Sequence, residues 1–344
     1  MTKETQDLLE NLMTLNGVSG NEGAVSSFIY NECKKYLKDV KIDKMGNIIA
    51  VKKGKKPVMM FMAHMDEVGL MIKSIDAKGK MKISTIGGID PYVLLGQRAA
   101  IDLGFDKYVE GVITINEILN NGNVPEKLKI EDLYIYTGMN KKELEKIGVK
   151  IGSYASFSQT FIFPSNGDKK DIIIGKALDD RAGCYVLLEL IKNLKTKNEV
   201  AFVFTVQEEI GLYGAKASVF NLEPDYAIAV DVGGQNEEED ALVVGKGPVL
   251  TIKDAEMIGN QCLNGHLKQV AKKLKIPLQL EVSESGTTDA TSVFSAKGGI
   301  PSTVLGVCVA NLHTNKGIAS RKDIEGVIEI LKGFLKDTPD KCWR

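Results

Sequence analysis

The sequence predicts an α/β chain, a mostly parallel sheet flanked by helices, with a small β-barrel or sandwich inserted into it. Three observations lead there. Continuous apolar runs such as VMMFMA, VAFVFTV, YAIAV and STVLGVCV have the length and composition of strands buried on both faces. Helix-length stretches separate most of them, and strand–helix alternation implies parallel pairing with crossovers. Between residues 69 and 165 that texture gives way to short alternating runs broken by glycine.

In order along the chain, residues 4–15 and 22–37 read as helices joined by the turn GVSGNE. Strands are expected at 40–43 and 47–52 around a Met45-Gly46 turn, then at 58–63, where VMMFMA runs into His64 and Asp66. Short strands follow at 70–75, 80–86, 99–103, 111–115, 133–137 and 154–163, the pattern of a small β-domain. Residues 181–194 are apolar almost all round and read as a buried helix, so Asp179 and Asp180 stand at a helix start on the edge of a core. Strands at 199–206, 226–230, 278–281 and 303–309 then alternate with helices at 213–219, 262–274, 291–297 and 322–336. The expected organisation is one discontinuous domain, 1–68 with 167–344, and an inserted β-rich domain, 69–166.

With 44% hydrophobic and 26% charged residues the composition is that of an ordinary globular protein. Lys+Arg 44 against Asp+Glu 45 gives a formal net charge of -1, which argues against nucleic acid as a main partner. No segment is long and apolar enough to span a membrane, and residues 1–16 read as an acidic amphipathic helix and not a signal peptide. The five cysteines are scattered and without close pairs, so a reduced, cytoplasmic protein is expected.

The chemistry lies at the strand ends. VMMFMA leads to His64 and Asp66, VAFVFTV to Glu208 and Glu209, YAIAV to Asp231, and STVLGVCV to His313. Ligands of open parallel sheets bind outside the carboxyl ends of the strands, so these groups and the Asp179 helix start are expected in one crevice. So many carboxylates would repel and raise one another's pKa unless cations bridged them. A dinuclear site for zinc, cobalt or manganese is the economical solution. Taken singly, each residue has an ordinary structural use: a capping aspartate, a core histidine, a solvated glutamate pair. Their joint occurrence at strand ends favours metal binding. His266, mid-helix among lysines, is assigned to the surface.

GVSGNE, AHMDEVG, GGIDPYVLLGQ, IGKALDDRAG, TVQEEIGLYGA, AVDV and SGTTDATSVF occur in this order along nearly the whole chain. The set resembles the tetrahedral aminopeptidases, also described as glutamyl or deblocking aminopeptidases, a family of cytosolic dinuclear metallopeptidases with some members labelled cellulases. The resemblance implies a dinuclear zinc-peptidase-like catalytic domain, a β-rich dimerisation insert, and dimers assembled into a dodecamer. Carried over residue by residue, it makes Asp179 the carboxylate that bridges two metals. His64 and Asp231 complete one metal, and Glu209 and His313 the other. It makes Glu208 the general base for a metal-activated water, and Asp66 the partner that orients His64. The implied reaction removes the N-terminal residue of short peptides, because one metal can hold the free α-amine. The chain departs from the family at 309–315, where relatives carry Arg-Tyr before the histidine and Ser-Pro after it. Gly286–Thr291 is expected on the substrate side, with a threonine helix cap as the alternative. Two other functions stay open: a silent assembly subunit of the same fold, and a metal-free glycosidase, which would leave both histidines without a role.

Overall fold

The structure is a computed structural model, and it describes residues 3–104, 107–116, 126–163, 171–220, 222–235 and 242–342. The chain opens with α1 (Lys3–Thr14) and α2 (Gly23–Lys34), followed by β1 (Asp39–Ile42), β2 (Ile48–Lys52) and β3 (Lys55–His64). The β1–β2 turn has a local cause: Asp43 Oδ1 accepts the amides of Met45, Gly46 and Asn47, and Gly46 takes φ 105. Next come β4 (Gly69–Ile75), β5 (Met81–Ile86), α3 (Pro91–Leu94), β6 (Arg98–Gly104), β7 (Lys107–Thr114), β8 (Tyr134–Tyr136), α4 (Lys141–Lys146) and β9 (Tyr154–Phe157). The rest comprises β10 (Phe161–Ile162), β11 (Ile172–Gly175), α5 (Leu178–Lys192), β12 (Asn198–Thr205), α6 (Tyr213–Ser218), β13 (Tyr226–Ala229), β14 (Val232–Gly234) and β15 (Val249–Lys253). It closes with α7 (Gln261–Leu274), β16 (Gln279–Val282), α8 (Asp289–Phe294), β17 (Ser302–Ala310), β18 (Gly317–Ser320) and α9 (Arg321–Lys336).

Two sheets divide these strands. Among the described residues the larger has 12 strands, running β1-β2-β12-β3-β13-β17-β18-β11-β10, with β14 and β15 also paired to β17 and β16 paired to β15. Its centre, β12-β3-β13-β17, is parallel throughout, and antiparallel strands flank it. Helices α1, α5, α7 and α9 bury one face around Leu12, Leu187, Leu267 and Leu331, while α6 and α8 cover the other through Ala215, Val219, Ala290 and Val293. The mixed α/β expectation therefore holds. The insert is a closed antiparallel barrel, β4-β5-β8-β7-β6-β9, with its own core of Leu70, Ile72, Ile83, Ile101, Ile113 and Ile135. Pairing of Leu70 with Ala155 closes it, which decides between barrel and sandwich.

Three expectations are corrected. The apolar stretch 154–163 is not one strand: Tyr154–Phe157 completes the barrel and Phe161–Ile162 pairs with β11 in the large sheet. Cys262 and Cys342 form a disulfide across 80 residues, so the cysteines are not all reduced, while Cys33, Cys184 and Cys308 are free and buried. His266 is more than a surface residue, since its ring meets Phe334 edge-on at 5.4 Å and its Nε2 contacts the Asp337 carbonyl. The expected domain boundary at 166/167 lies outside the described residues.

Candidate metal centre

Because β12, β3, β13 and β17 are parallel neighbours, their carboxyl ends share one edge of the sheet, and the expected site residues meet there. Ligand-type atoms of His64, Asp179 and Asp231 all lie within 4.8 Å of one another, and so do those of Asp179, Glu209 and His313. Asp179 belongs to both groups. His64 Nε2 is 3.0 Å from Asp179 Oδ1, and His313 Nε2 is 3.3 Å from Asp179 Oδ2 and 3.4 Å from Glu209 Oε2. Glu208 lines the same cavity, of about 540 Å³. Asp66 is fully buried behind His64, with Oδ1 at 3.5 Å from Nδ1.

The backbone explains how these side chains are aimed. Ala177, Gln207, Leu212, Asn311 and His313 all adopt positive φ, between 52 and 57, in the turns that carry Asp179, Glu208 and His313. Such conformations are unfavourable for residues with a Cβ and persist only where surrounding contacts over-determine them. Those contacts are present. Asp66 accepts the amides of both Glu208 and Glu209, at 3.1 and 3.2 Å, while Ser19 donates to it at 2.5 Å. Glu22 accepts the Gln207 amide at 3.2 Å. The Gly88 carbonyl, brought by the insert, lies 2.6 Å from His313 Nδ1. In the departing loop, Thr314 donates to the Asn311 carbonyl at 2.8 Å and accepts the Lys316 amide at 3.0 Å, so the loop is held by its own hydrogen bonds.

The adjacent aspartates part company. Asp179 faces the cluster, whereas Asp180 turns to the backbone and accepts the amides of His64 at 3.2 Å and Gly183 at 2.9 Å. The peptide between them is cis. Gly183 must be glycine, because a Cβ would meet Asp180 Oδ1 and the Val230 carbonyl at 2.4 Å. Arg181 does not simply pair with its neighbours. It is buried and donates to the carbonyls of Met65 and Leu12, both at 2.7 Å.

Electrostatically the site is unbalanced towards acid. Burial pushes Glu208 well above the usual carboxylate range, Glu209 up to about 8 and Asp231 to about 7, with neighbouring carboxylates adding to the rise in each. Burial would also raise Asp179, but hydrogen bonds from His313 and His64 outweigh it and hold it low. Burial would lower His313, yet Asp179 and Glu209 lift it to about 9. Glu209 Oε1 is buried without a hydrogen-bond partner among the described residues. Imidazole and carboxylate donors, a shared central carboxylate and an orphaned buried oxygen all fit borderline divalent cations.

Sequence reasoning left several contributors unassigned: Ser19, Glu22, the Gly88 carbonyl and Asp289. Asp289 is buried beside Thr205, whose hydroxyl it accepts, and burial raises its carboxyl to about 6. Ser19, Glu22 and Gly88 fall in the motif blocks GVSGNE and GGIDPYVLLGQ, but only folding shows which atoms reach the site. Gly286, Thr287 and Thr288 line the cavity, and the alternative of a threonine cap is not realised, since Thr288 makes no side-chain cap bond.

A parallel-centred α/β sheet with this donor set at its strand ends and a barrel spliced into it defines a metal-dependent peptide hydrolase. The chain belongs to the family described as M42 glutamyl aminopeptidase, whose profile matches residues 46–330. It is similar to the lysyl aminopeptidase of Pyrococcus furiosus, with 31% identity over 341 residues, covering 96% of each chain. In structure it resembles a TET aminopeptidase from a marine-sediment Thaumarchaeota archaeon, with a TM-score of 0.90, 32% identity and coverage of 97% of this chain and 96% of that one. It also resembles the Pyrococcus horikoshii TET1 peptidase, which can assemble into a tetrahedron or a large octahedral shell. There the TM-score is 0.87 and the identity 30%, over 97% of this chain and 99% of that one.

Proposed function

We propose that the chain is a dinuclear aminopeptidase that removes the N-terminal residue of short peptides with two divalent ions, zinc or cobalt, with manganese as a further candidate. The observation that carries this reading is the membership of Asp179 in both ligand groups. His64 and Asp231 would hold one ion with it, and Glu209 and His313 the other. When bound, the ions would supply Lewis acidity, polarising the scissile carbonyl and lowering the pKa of water. Glu208 accepts the proton of the attacking water on its carboxylate and returns it to the departing amine nitrogen. Asp66 orients His64 and, through the Glu208 and Glu209 amides, the loop that carries the base.

In this reading 1–68 and 167–344 form the catalytic domain and 69–166 the dimerisation domain, in a cytoplasmic protein. The tetrahedral or octahedral assembly described for the Pyrococcus horikoshii peptidase, and a similar solved structure described as PhTET1-12s, a dodecamer in the asymmetric unit, support extending self-association to a dodecamer here. The deciding experiment is elemental analysis of the purified protein together with chelation. Two ions per chain, loss of peptidase activity on chelation and recovery with zinc, cobalt or manganese are expected. Full activity with never more than one ion would reject the dinuclear reading.

A further inference from the structure

The cavity that holds the candidate metal groups extends well beyond them. Away from the strand ends its wall is made by Thr251 and Asp254, on and just after β15, by Glu281 on β16, and by Ser283, Thr287 and Thr288. Thr251 and Asp254 are buried, whereas Ser285 and Gly286 are exposed, so the first two belong to the floor and the last two to the rim. An enzyme that cuts after one residue needs a closed recess for that residue's side chain and an open path for the remaining peptide.

The floor's charge is one-sided. Among the described residues that line the cavity there is no lysine or arginine. The lysine next to Asp254 in sequence, Lys253, is engaged elsewhere, 3.0 Å from Glu284 and 3.1 Å from the Ser283 carbonyl. Asp254 is held by its surroundings: Oδ1 accepts the amides of Glu256 and Met257, and Oδ2 the Thr291 hydroxyl. Its carboxyl group is thereby fixed in place. Glu281 differs, because it receives one hydrogen bond, from Thr251 Oγ1 to Oε2 at 2.6 Å, and its Oε1 accepts none among the described residues. Burial raises the Glu281 carboxyl, Thr251 opposes this, and the charge of Asp254 adds to the rise. A half-buried carboxylate beside a second one is left short of positive charge.

Resting on the aminopeptidase reading, we propose that this floor is the recess that receives the side chain of the N-terminal residue and selects a cationic one, lysine or arginine, with Glu281 as the carboxylate it meets. The apolar Val232 and Leu312, which line the same cavity between this floor and the candidate metal groups, suit the methylene stem of such a side chain. An N-terminal glutamate or aspartate would bring a third carboxylate beside Glu281 and Asp254, with like-charge repulsion in a partly desolvated site. An aliphatic residue would cover Glu281 without pairing it. The preference thus runs opposite to the glutamyl specificity in the family's description, for which a cation in the floor would be needed.

The test compares lysyl, arginyl, leucyl and glutamyl anilides on the metal-loaded protein, with binding of free lysine, leucine and glutamate measured in parallel by calorimetry. Lysyl and arginyl substrates are expected to have the highest kcat/KM, and lysine to bind tighter than leucine or glutamate. Glu281→Gln keeps an acceptor for Thr251, and it should reduce the lysyl-to-leucyl ratio of kcat/KM by at least about tenfold. Glu281→Lys should move the glutamyl-to-lysyl ratio in favour of glutamyl. A wild-type protein that prefers glutamyl or leucyl anilide, or a lysyl-to-leucyl ratio unmoved in Glu281→Gln, overturns the proposal while leaving the aminopeptidase reading intact. If no anilide is turned over, the aminopeptidase reading fails, and the amino-acid binding order alone decides whether the recess selects cations.

Discussion

Glu208 and Glu209 are adjacent, both line the cavity and both are raised by burial, yet their surroundings differ. Glu209 Oε2 lies 3.4 Å from His313 Nε2 within the second ligand group, and Glu208 belongs to neither group. The proposed roles therefore separate under mutation. Glu208→Gln should keep both metals and still bind a substrate-like inhibitor while turnover falls roughly 10²–10⁴-fold. Glu209→Gln should lose affinity for one metal and regain part of its rate when metal is added. Metal content and turnover measured on both variants decide this, and a metal-depleted Glu208→Gln beside a metal-replete, inactive Glu209→Gln would reverse the assignment. Asp179→Asn, at the residue common to both groups, should reduce occupancy of both sites; depletion of a single site would make it a terminal ligand.

At the scale of elements, the start of α5 rests on a buried ionic contact. Lys176 Nζ lies 2.6 Å from Glu67 Oε1 and also reaches Asn16 Oδ1 at 3.0 Å, while Glu67 accepts the Gly17 amide at 2.9 Å. This ties β11, the end of β3 and the loop after α1 together directly behind the site. Both charged side chains are buried, and removal of Lys176 leaves Glu67 only the more distant Arg181 Nη2, 3.8 Å from its Oε1, a loss of up to roughly 3–5 kcal/mol. Lys176→Met should therefore lower the melting temperature by about 5 °C or more, and adding Glu67→Leu should restore a good part of it. Scanning calorimetry on both variants checks the expectation. A Lys176→Met protein as stable as the parent would show that Glu67 finds other compensation.

For the whole molecule, self-association is the open expectation, and the barrel is where it should act. Val112 on β7 and Tyr136 on β8 are cross-strand partners, 46% and 40% exposed, and Tyr108 on β7 is also exposed. Apolar side chains presented together on one face mark an interaction surface more often than scattered ones do. The chain should sediment as a dimer or larger at micromolar concentration, and Val112→Asp with Tyr136→Asp should shift it towards monomer. A parent chain that sediments as a monomer would remove the dimerisation role from 69–166.

Much of this was legible in the sequence because the signals are local. Buried strands such as Lys55–His64 and Ser302–Ala310 read as continuous apolar runs, α5 as a helix with hardly a polar face, and the barrel as a change to short alternating segments. The positions of His64, Asp179, Glu209, Asp231 and His313 at element ends were equally readable, since a strand's end is visible where its apolar run stops. What pairs across space was not. The short strands Ile172–Gly175 and Gly317–Ser320 exist because they pair with each other, and Tyr154–Phe157 and Phe161–Ile162 part because different sheets claim them. Cys262 and Cys342 meet only when α7 and the chain beyond α9 are packed together. The order β12-β3-β13-β17, which brings four distant strand ends to one edge, follows from sheet assembly and has no sequence period. By itself the sequence determined which residue types stand at the ends of which elements, because periodicity is a property of neighbours along the chain. Tertiary structure alone decided that Asp180 serves the backbone and that Glu281 faces the same cavity, and it placed Asp179, singled out by the resemblance, within reach of both groups, because these depend on contacts between residues far apart in sequence.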